Sequence, residues 1–371
     1  VIHMRNPEVC SACGNSCSHD QLTEFDGQML CSHCLNNETT ICYRCGDRIW
    51  NDDNAGDSRT PLCQSCYERF YTSCEHCGRI ICHDDAYYGD DDQDNPLCWH
   101  CYCHTQQDSQ IHDYYYKPEP IFYGNGNRYF GLELEIDGAG ENSDHACQIM
   151  RLANCGKELI YCKHDGSLDN GFEIVTHPMT LDFHLKEMPW AAVLKRAIEQ
   201  GYLSHQANTC GLHIHVNRDA FGSTEAEQDA CIARLLYFFE KHWEELLKFS
   251  RRTQRQLERW AARYGYKEQP RDILDHAKKG HHGGRYACVN LQNTETIEFR
   301  VFRGTLKYNT LIATLQLVNK VCDVAFYMSD DELKSMSWTT FVSGCTDPEL
   351  VQYLKERRLY VNEPVETEAE V

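Results

Sequence analysis

The sequence predicts an α+β protein, in which an antiparallel-sheet domain follows three small modules built on four cysteines each. Two observations carry this prediction. Paired cysteines recur with a fixed period through the first hundred of the 371 residues. Beyond them, short strands with alternating apolar residues stand before and after a long helix. That order is typical of an α+β domain and differs from the strict β–α alternation of a doubly wound fold.

The front of the chain contains six CxxC pairs. The first cysteine of every second pair lies at position 10, 42 or 74, and this period of 32 residues marks a repeated unit. Each unit opens with CxxCG, whose glycine permits the left-handed turn of a metal knuckle. The pairs of a unit are 17, 17 and 20 residues apart, the range of four-cysteine ribbons and LIM-type modules. The predicted ligands are Cys10, Cys13, Cys31, Cys34, Cys42, Cys45, Cys63, Cys66, Cys74, Cys77, Cys98 and Cys101.

Zinc is the metal that these ligand sets favour. Four soft thiolates meet its tetrahedral preference, and the binding energy replaces a missing hydrophobic core. An iron–sulfur cluster is the alternative, but three evenly repeated sets favour zinc. Because four protein ligands close the coordination shell, we expect three structural zinc ions. His33 could replace a thiolate of the first site, and other nearby candidates are Cys17, His19, Cys82, His83, Cys103 and His104.

The repeat and the changes in composition divide the chain into six parts. The zinc modules span 5–36, 37–68 and 69–104, and a polar, proline-containing linker spans 105–122. The larger domain spans 123–362, and an acidic tail spans 363–371.

Charge and composition restrict the class of partner. The net charge of −20 argues against binding to nucleic-acid phosphates, which needs a basic surface. Residues 1–104 carry 6 Lys/Arg against 17 Asp/Glu, which indicates either solvated loops or a surface for a basic partner. No apolar run reaches 18 residues, so we expect no membrane span. The chain starts without a secretion signal, and its cysteines form metal-type pairs, so we expect a reducing cytoplasm.

The larger domain alternates between short strands and helices. We expect strands at Tyr129–Ile136, Phe172–His177, Gly211–Asn217, Ala287–Leu291 and Thr296–Phe302. The clearest helix begins at a capping box of Thr224 and Glu227 and continues through Leu247. Further helices are expected near Phe183–Gln200, Asn309–Met328 and Asp347–Arg358.

Three of these strands carry polar pairs two residues apart. Because successive side chains of a strand point to opposite faces, each pair shares one face while apolar residues bury the other. The pairs are Glu133 with Glu135, His213 with His215, and Glu298 with Arg300. A single pair of this kind is usually a solvated sheet face. The three together, with Asp165 and Glu173 nearby, predict one surface that binds cations.

Carboxylates at such density repel one another unless cations neutralise them. Carboxylate oxygens with a histidine suit Mg²⁺ or Mn²⁺ bridging nucleotide phosphates. A zinc hydrolase built on His213 and His215 is an alternative, but such sites hold few carboxylates.

An ordered set of motifs resembles the amidoligase family, carboxylate–amine ligases of the glutamine-synthetase-like fold that are related to glutamate–cysteine ligases. The set covers about 121–328 and leaves out the cysteine modules. It consists of GLELEID (131–137), HDGSL (164–168), GFEIVTHP (171–178), CGLHIHVN (210–217), RYACVNL (285–291) and TIEFRVFRGT (296–305).

The resemblance implies an ATP-dependent ligase. Two or more Mg²⁺ ions would be held by Glu133, Glu135, Glu173, His213 and Glu298, with Asp165 a further candidate. Arg300, with Arg303 and Arg285, would stabilise the transferring phosphoryl group, and His215 would contact nucleotide or substrate. The acyl phosphate formed on a substrate carboxylate would then react with an amine to give an amide.

Two other functions remain open at this stage. A phosphotransferase of the same fold, acting on a guanidino or carboxyl group, would form ADP with one substrate and no amide. A zinc-module adaptor would use a non-catalytic sheet domain to bind a partner. If the ligase hypothesis holds, the acidic modules are expected to present a peptide or protein substrate.

Overall fold

The computed structural model describes residues 8–89, 92–106, 110–279 and 284–360. The predicted acidic tail at 363–371, the start of the first predicted module, and the side chains of Cys103 and His104 lie outside the described part. Two compact units divide the chain. The first comprises 1–108 with 115–117, and the second comprises 109–114 with 118–371.

The first unit repeats one local pattern of short antiparallel strand pairs followed by a helix that begins at the second cysteine pair. Cys31 and Cys63 are the N-caps of the first two of these helices. The helices are Ser32–Glu38, Gln64–Phe70 and Trp99–Gln106. The strands are Glu8–Val9, Ser16–Cys17, Leu22–Phe25, Gln28–Cys31, Thr39–Ile41, Arg48–Trp50, Tyr71–Ser73, Ile80–Cys82, Tyr87–Gly89 and Asp92–Leu97.

Each module has a very small apolar core. Leu30 and Leu62, the residues directly before the second cysteine pairs, are fully buried against the cysteines of their own modules. Between the first two modules, the rings of Phe25 and Trp50 pack 5.0 Å apart, and Trp50 Nε1 donates to Asp26 Oδ2 at 2.8 Å. Cores of this size cannot by themselves stabilise a fold, so stabilisation by a metal ion at each four-cysteine group is expected.

The second unit contains a seven-stranded sheet in its described residues. In chain order its strands are β1 (Ile111–His112), β2 (Phe130–Ile136), β3 (Ile160–Lys163), β4 (Phe172–Thr176), β5 (Gly211–Asn217), β6 (Val289–Asn290) and β7 (Thr296–Arg303). Their order across the sheet is β1-β3-β4-β2-β5-β7-β6. The central position of β2 places it between β4 and β5.

The prediction of an antiparallel sheet needs one correction. All neighbouring strands are antiparallel except β1, which pairs in parallel with β3. This strand of two residues falls inside the segment predicted as a linker. It joins the sheet at its edge and is separated along the chain from its partner by β2, so no hairpin forces it to run antiparallel.

The helices of the described second unit surround this sheet. They are α1 (Ser143–Asn154), α2 (Leu181–Lys186), α3 (Trp190–Glu199), α4 (Glu225–Lys241), α5 (Trp243–Ser250), α6 (Gln254–Trp260), α7 (Pro270–Lys278), α8 (Tyr308–Tyr327), α9 (Asp330–Ser335), α10 (Trp338–Ser343) and α11 (Pro348–Glu356). The predicted capping box of Thr224 and Glu227 is present at the start of α4. Among the described residues, no helix is long and apolar enough to cross a membrane.

Two helices predicted as continuous are divided. The helix predicted from Phe183 to Gln200 is broken before Pro189, which is the N-cap of α3 and cannot continue α2. The helix predicted through Leu247 ends at His242, whose backbone dihedrals leave the helical region. In both cases apolar periodicity continues across the break, so the pattern alone could not reveal it.

The core lies on the apolar face of the sheet. Leu132, Leu134, Leu212 and Ile214 are fully buried, as their alternation predicts. From the helix layer, Phe239 of α4 packs 5.7 Å from Phe299 of β7, measured between ring centres. The polar side chains of the same strands therefore lie on the opposite face of the sheet.

Candidate functional site

Strand register brings the predicted polar residues together on one face of the sheet. Glu135 of β2 lies opposite Glu173 of β4. On the other side of β2, Glu133 lies opposite His213 of β5. His215 of β5 lies in turn opposite Glu298 of β7. Four adjacent strands thus contribute to a single polar surface.

Glu133 is the centre of this surface. Its Oε2 lies 3.2 Å from His213 Nδ1, and its Oε1 lies 3.0 Å from His215 Nε2. His215 Nδ1 contacts Thr296 Oγ1 at 3.1 Å, which fixes the ring from its other side. Such contacts orient an imidazole for metal binding in the way that outer partners of metal-ligating histidines do.

Glu298 is held by three donors. Arg300 Nη1 donates to its Oε1 at 2.6 Å, and Asn290 Nδ2 and Asn293 Nδ2 donate to its Oε2 at 2.8 and 3.3 Å. Its Oε1 also lies 3.7 Å from His213 Nδ1 and 4.0 Å from His215 Nε2. Each oxygen of this buried carboxylate therefore accepts at least one hydrogen bond, and its charge is paired with that of Arg300.

Within the described residues, one carboxylate–imidazole group has its ligand atoms within 4.8 Å of one another: Glu133, His215 and Glu298. Two of these belong to the ligand set predicted from sequence, whereas for His215 the resemblance implies a contact with nucleotide or substrate. The other predicted ligands, Glu135, Glu173 and His213, lie on the same face but outside this group. Oxygen donors with one imidazole fit Mg²⁺ or Mn²⁺.

Glu135 meets a different set of partners. Its carboxylate accepts a hydrogen bond from the backbone N–H of Gly211, and His213 Nε2 lies 3.9 Å from its Oε1. A Cβ built on Gly211 would lie 2.6 Å from Arg252 Nη2 and 2.7 Å from His213 Nε2. A side chain at this position would displace the guanidinium and the imidazole, which both approach β5 closely here.

The carboxylates of this face differ in their affinity for protons. Burial would raise the pKa of Glu133, but the positive charge of His215 and hydrogen bonds from both histidines lower it well below its usual range. Burial would likewise raise the pKa of Glu298, but the charges of His215 and Arg300 lower it. Burial raises the pKa of Glu135, and burial with the charge of Glu133 raises that of Glu173 well above its usual range. The half of the face with Glu133 and Glu298 is thus anionic. In the half with Glu135 and Glu173, the carboxyl groups hold protons more tightly, and a bound cation would favour their charged forms.

Asp165 belongs to a turn at the acidic side of the face. Its Oδ1 accepts hydrogen bonds from the backbone N–H and the hydroxyl of Ser167, at 2.7 and 2.5 Å. Its charge is among the influences that raise the pKa of Glu135 and Glu173. The assignment of Asp165 as a further metal ligand stays a prediction.

The three predicted phosphoryl-stabilising arginines lie in different surroundings. Arg300 pairs with Glu298, as described above. Arg285 donates to the hydroxyls of Tyr114 and Tyr286, and its guanidinium carbon lies 5.5 and 4.9 Å from the centres of those rings. Arg303 Nη2 donates to Asn208 Oδ1 at 2.8 Å, beyond the end of the polar face.

Two residues that the structure places at the face are missing from the candidate site residues of the sequence analysis. Arg252 follows α5 and reaches Gly211 from a distant part of the chain. Asp137 ends the GLELEID motif and accepts hydrogen bonds from Thr209 Oγ1 and from the backbone N–H groups of Asp169 and Asn170, at 2.6, 3.0 and 2.6 Å. Its position after a strand of alternating polarity was a signal that could have marked it. Arg252 belongs to a group of arginines after the predicted long helix, with Arg251, Arg255 and Arg259, and this pattern is as typical of a solvated helix face as of a phosphate site. Its approach to Gly211 depends on tertiary packing.

The cysteine modules form three four-thiol groups with the predicted membership. Sγ–Sγ distances across the groups are 3.9 Å for Cys13–Cys31, 3.9 Å for Cys45–Cys63 and 3.7 Å for Cys77–Cys98. A tetrahedron with Zn–S bonds of about 2.3 Å has edges of about 3.8 Å. The groups therefore have the dimensions of structural zinc sites.

The turn after each CxxC pair accompanies a lowered pKa at the first cysteine of the pair. Gly14, Gly46 and Gly78 have φ values of +74°, +79° and +72°, which confirms the left-handed turn expected after each CxxC. Hydrogen bonds from backbone N–H groups, that of Cys31 foremost, lower the pKa of the Cys10 thiol to about 6. For Cys42 and Cys74, burial acts in the opposite direction, but backbone N–H donors still lower the pKa of each thiol to about 6. Thiolate character at neutral pH favours metal binding.

Comparison with known proteins adds one finding to this geometry. A family model described as "Putative amidoligase enzyme" matches residues 151–322, slightly less than half of the chain. No curated protein matches the chain. The matched range contains Glu173, His213, His215, Glu298 and Arg300, whereas Glu133 and Glu135 precede it and the cysteine modules lie outside it. The match indicates an enzyme of the ligase type.

Proposed function

We propose that the protein is an ATP-dependent carboxylate–amine ligase that forms an amide or isopeptide bond through an acyl phosphate. The observation that carries the proposal is the group of Glu133, His215 and Glu298 with Arg300 beside it. A set of metal ligands next to a fixed guanidinium is what phosphoryl transfer requires, because the reaction is accelerated mainly by positioning and charge stabilisation.

Mg²⁺ or Mn²⁺ is the expected metal of this site. Glu133, His215 and Glu298 would hold one ion, and Glu135, Glu173 and Asp165 offer carboxylates for a second. The raised pKa values of Glu135 and Glu173 support a second cation, since burial and neighbouring carboxylates disfavour their charged forms. Metal ions at such sites neutralise the charge of nucleotide phosphates.

The protein's own residues then have distinct roles. Arg300 would stabilise the charge of the transferring phosphoryl group, because its planar guanidinium binds phosphate oxygens in a fixed geometry. His213 keeps Glu133 in place through their 3.2 Å contact. Arg285 and Arg303 remain candidates for contacts with the phosphoryl group or the nucleotide, held by their tyrosine and asparagine partners.

The proposed chemistry has two balanced steps. An oxygen of the substrate carboxylate attacks the γ-phosphorus of ATP, and ADP leaves with the electrons of the broken P–O bond. The amine nitrogen then attacks the carbonyl carbon of the acyl phosphate. Inorganic phosphate leaves with the former carboxylate oxygen, and the amine loses a proton. Net loss of water is thus coupled to ATP cleavage.

The zinc modules are proposed to present the substrate. Their acidity and their repeated, metal-stabilised architecture suit a platform for a peptide or protein with basic character. A cytoplasmic location is part of the proposal. Six single cysteines of the second unit (Cys162, Cys210, Cys231, Cys288, Cys322 and Cys345) are buried free thiols, which suits a reducing compartment.

A screen for ADP release tests the function. The full chain is incubated with MgATP and with pairs of carboxylate and amine compounds, including peptides, and the mixtures that release ADP are examined by mass spectrometry. The proposal predicts an adduct whose mass equals both substrates minus one water. ADP formed with one substrate alone, and a phosphorylated product with no amide, would instead establish a phosphotransferase.

A further inference from the structure

Three arginines meet where β5 begins and β7 ends, beyond the Glu135 end of the polar face. Arg252 reaches Gly211 with Nη2 and donates from Nη1 to the carbonyl oxygen of Arg300 at 3.4 Å. Arg303 lies opposite Gly211 in the register of β5 and β7. Arg251 Nη2 donates to the carbonyl oxygen of Arg303 at 2.7 Å. We call Arg251, Arg252 and Arg303 the arginine cluster.

No member of the cluster forms a direct ion pair of the kind that Arg300 has, although the charge of Glu135 acts on Arg252 from beyond contact distance. Arg300 forms an ion pair with Glu298 at 2.6 Å. Among the described residues, no carboxylate oxygen lies within 4.0 Å of a guanidinium nitrogen of Arg251, Arg252 or Arg303. Their side-chain hydrogen bonds go to uncharged acceptors: the carbonyl oxygens of Arg303, Arg300 and Arg251, and Asn208 Oδ1, with a contact to His205 Nδ1. In a chain with 56 acidic residues this is an unusual environment for three cations.

Burial makes the absence of a direct ion pair costly. It lowers the pKa of Arg252 to about 10 and shifts the pKa of Arg251 and Arg303 in the same direction. The opposite holds for Arg300, whose pKa burial would lower but the charge of Glu298 raises. At neutral pH all of these groups remain cations. Partly buried cations without a contacting anion favour the binding of one, because it offsets their mutual repulsion.

We propose that the arginine cluster is a phosphate-binding subsite, in which Arg252 and Arg303 contact the phosphate and Arg251 positions Arg303. Phosphate is favoured over a single carboxylate because several guanidiniums match its higher charge and its larger number of acceptor oxygens. Arg251 and Arg303 hold each other through paired bonds to backbone oxygens, at 2.7 and 3.3 Å, so the donors are arranged before a ligand arrives.

This inference deepens the proposed function, because a phosphate next to Glu135 is the group that ATP-dependent ligation would transfer or release. It can still be tested apart from that function. Binding of inorganic phosphate is measured without ATP and without added Mg²⁺, so it reports on the arginine cluster and not on turnover.

The experiment is isothermal titration calorimetry on the zinc-containing full chain at low salt, with inorganic phosphate and acetate as probes. The wild type is expected to bind phosphate more tightly than acetate. Arg252→Gln is expected to weaken phosphate binding at least about tenfold, and Arg303→Gln to weaken it in the same direction. Arg255→Gln is the matched control: it removes the same charge three residues away, on an exposed side chain, and should leave the affinity within about twofold.

Circular dichroism and zinc content establish that each variant is folded, and Arg303→Gln provides the result if Arg252→Gln does not fold. Three outcomes would overturn the proposal: no phosphate binding by the wild type, equal phosphate affinity in the wild type and the folded cluster variants, or acetate binding as tight as phosphate with the same dependence on Arg252.

Discussion

Glu133 Oε1 lies 3.0 Å from His215 Nε2, across two neighbouring antiparallel strands. Because the two residues are not directly opposite in the register, this contact joins diagonal positions and draws His215 towards the centre of the face. It is the reason that His215, together with Glu298, completes a three-ligand group. The contact defines the position where a divalent cation is expected.

Removal of Glu133 is expected to abolish this metal site. Glu133→Gln keeps the side chain's size but removes its negative charge, and so should weaken Mn²⁺ binding at least about tenfold. The measurement is an electron paramagnetic resonance titration of the zinc-containing chain with Mn²⁺. Glu244→Gln, on an exposed side chain of α5, is the control and should bind Mn²⁺ as the wild type does. Unchanged Mn²⁺ affinity in Glu133→Gln would contradict the assignment of the site.

Loss of Glu135 or Arg300 is expected to stop ATP turnover. Arg300→Ala removes the cation nearest to the metal-ligand group, and Glu135→Ala removes the carboxylate at the junction with Arg252. Each should lower the rate of ADP formation at least about 100-fold, as loss of a charge-stabilising group does. Zinc content, measured on the same samples, should be unchanged. A variant that turns over ATP at the wild-type rate would show that its residue has been assigned the wrong role.

Three zinc ions are expected per chain. Elemental analysis of the purified protein measures this number directly, and Cys42→Ser should lower it to two because a hydroxyl is a poor replacement for a thiolate. Cys155→Ser, at an exposed cysteine outside the modules, is the control and should retain all three. Fewer than two zinc ions in the wild-type chain would refute the description of the modules.

Asp137 is expected to stabilise the second unit in a pH-dependent manner. Burial opposes its ionisation, but hydrogen bonds from Thr209 and from the backbone of Asp169, Asn170 and Gly138 lower its pKa. A lowered pKa in the folded state means that the stabilisation is complete above the unfolded value, near 4, and is lost as the pH falls through the folded value. Asp137→Asn should therefore lower the free energy of unfolding by about 1–3 kcal/mol at pH 7.

The test compares melting temperatures of the wild type and Asp137→Asn between about pH 7 and pH 3. The difference should be largest near neutrality and should shrink in acid. Asp169→Asn is the control, since its exposed side chain changes while the backbone N–H that binds Asp137 remains. A difference that is independent of pH would mean that the charge of Asp137 contributes nothing.

The strands that carry the site could be predicted well from sequence. Gly211–Asn217 has the predicted bounds, and β2 and β7 differ from prediction by one residue at one end. Strict alternation of polar and apolar residues is a local sequence signal, so it predicts these strands without knowledge of contacts between distant residues. The membership of the three cysteine groups followed from spacing for the same reason.

What the sequence could not supply depends on contacts between distant residues. Strand β1 has two residues in a polar segment, and its parallel partner β3 has four, so neither shows a usable period. The role of Arg252 at Gly211 requires knowing that the chain after α5 returns to the start of β5. The choice of His215 over His213 for the three-ligand group depends on side-chain geometry, because both lie on the same face of one strand.

Transfer of oxygen from the substrate acid to phosphate tests the central claim most directly. The carboxylate substrate found in the ADP-release screen is labelled with oxygen-18, and the inorganic phosphate formed during ligation is analysed by mass spectrometry. An acyl phosphate predicts one labelled oxygen in the phosphate for each amide bond formed. Amide formation that yields unlabelled phosphate would contradict the proposed mechanism.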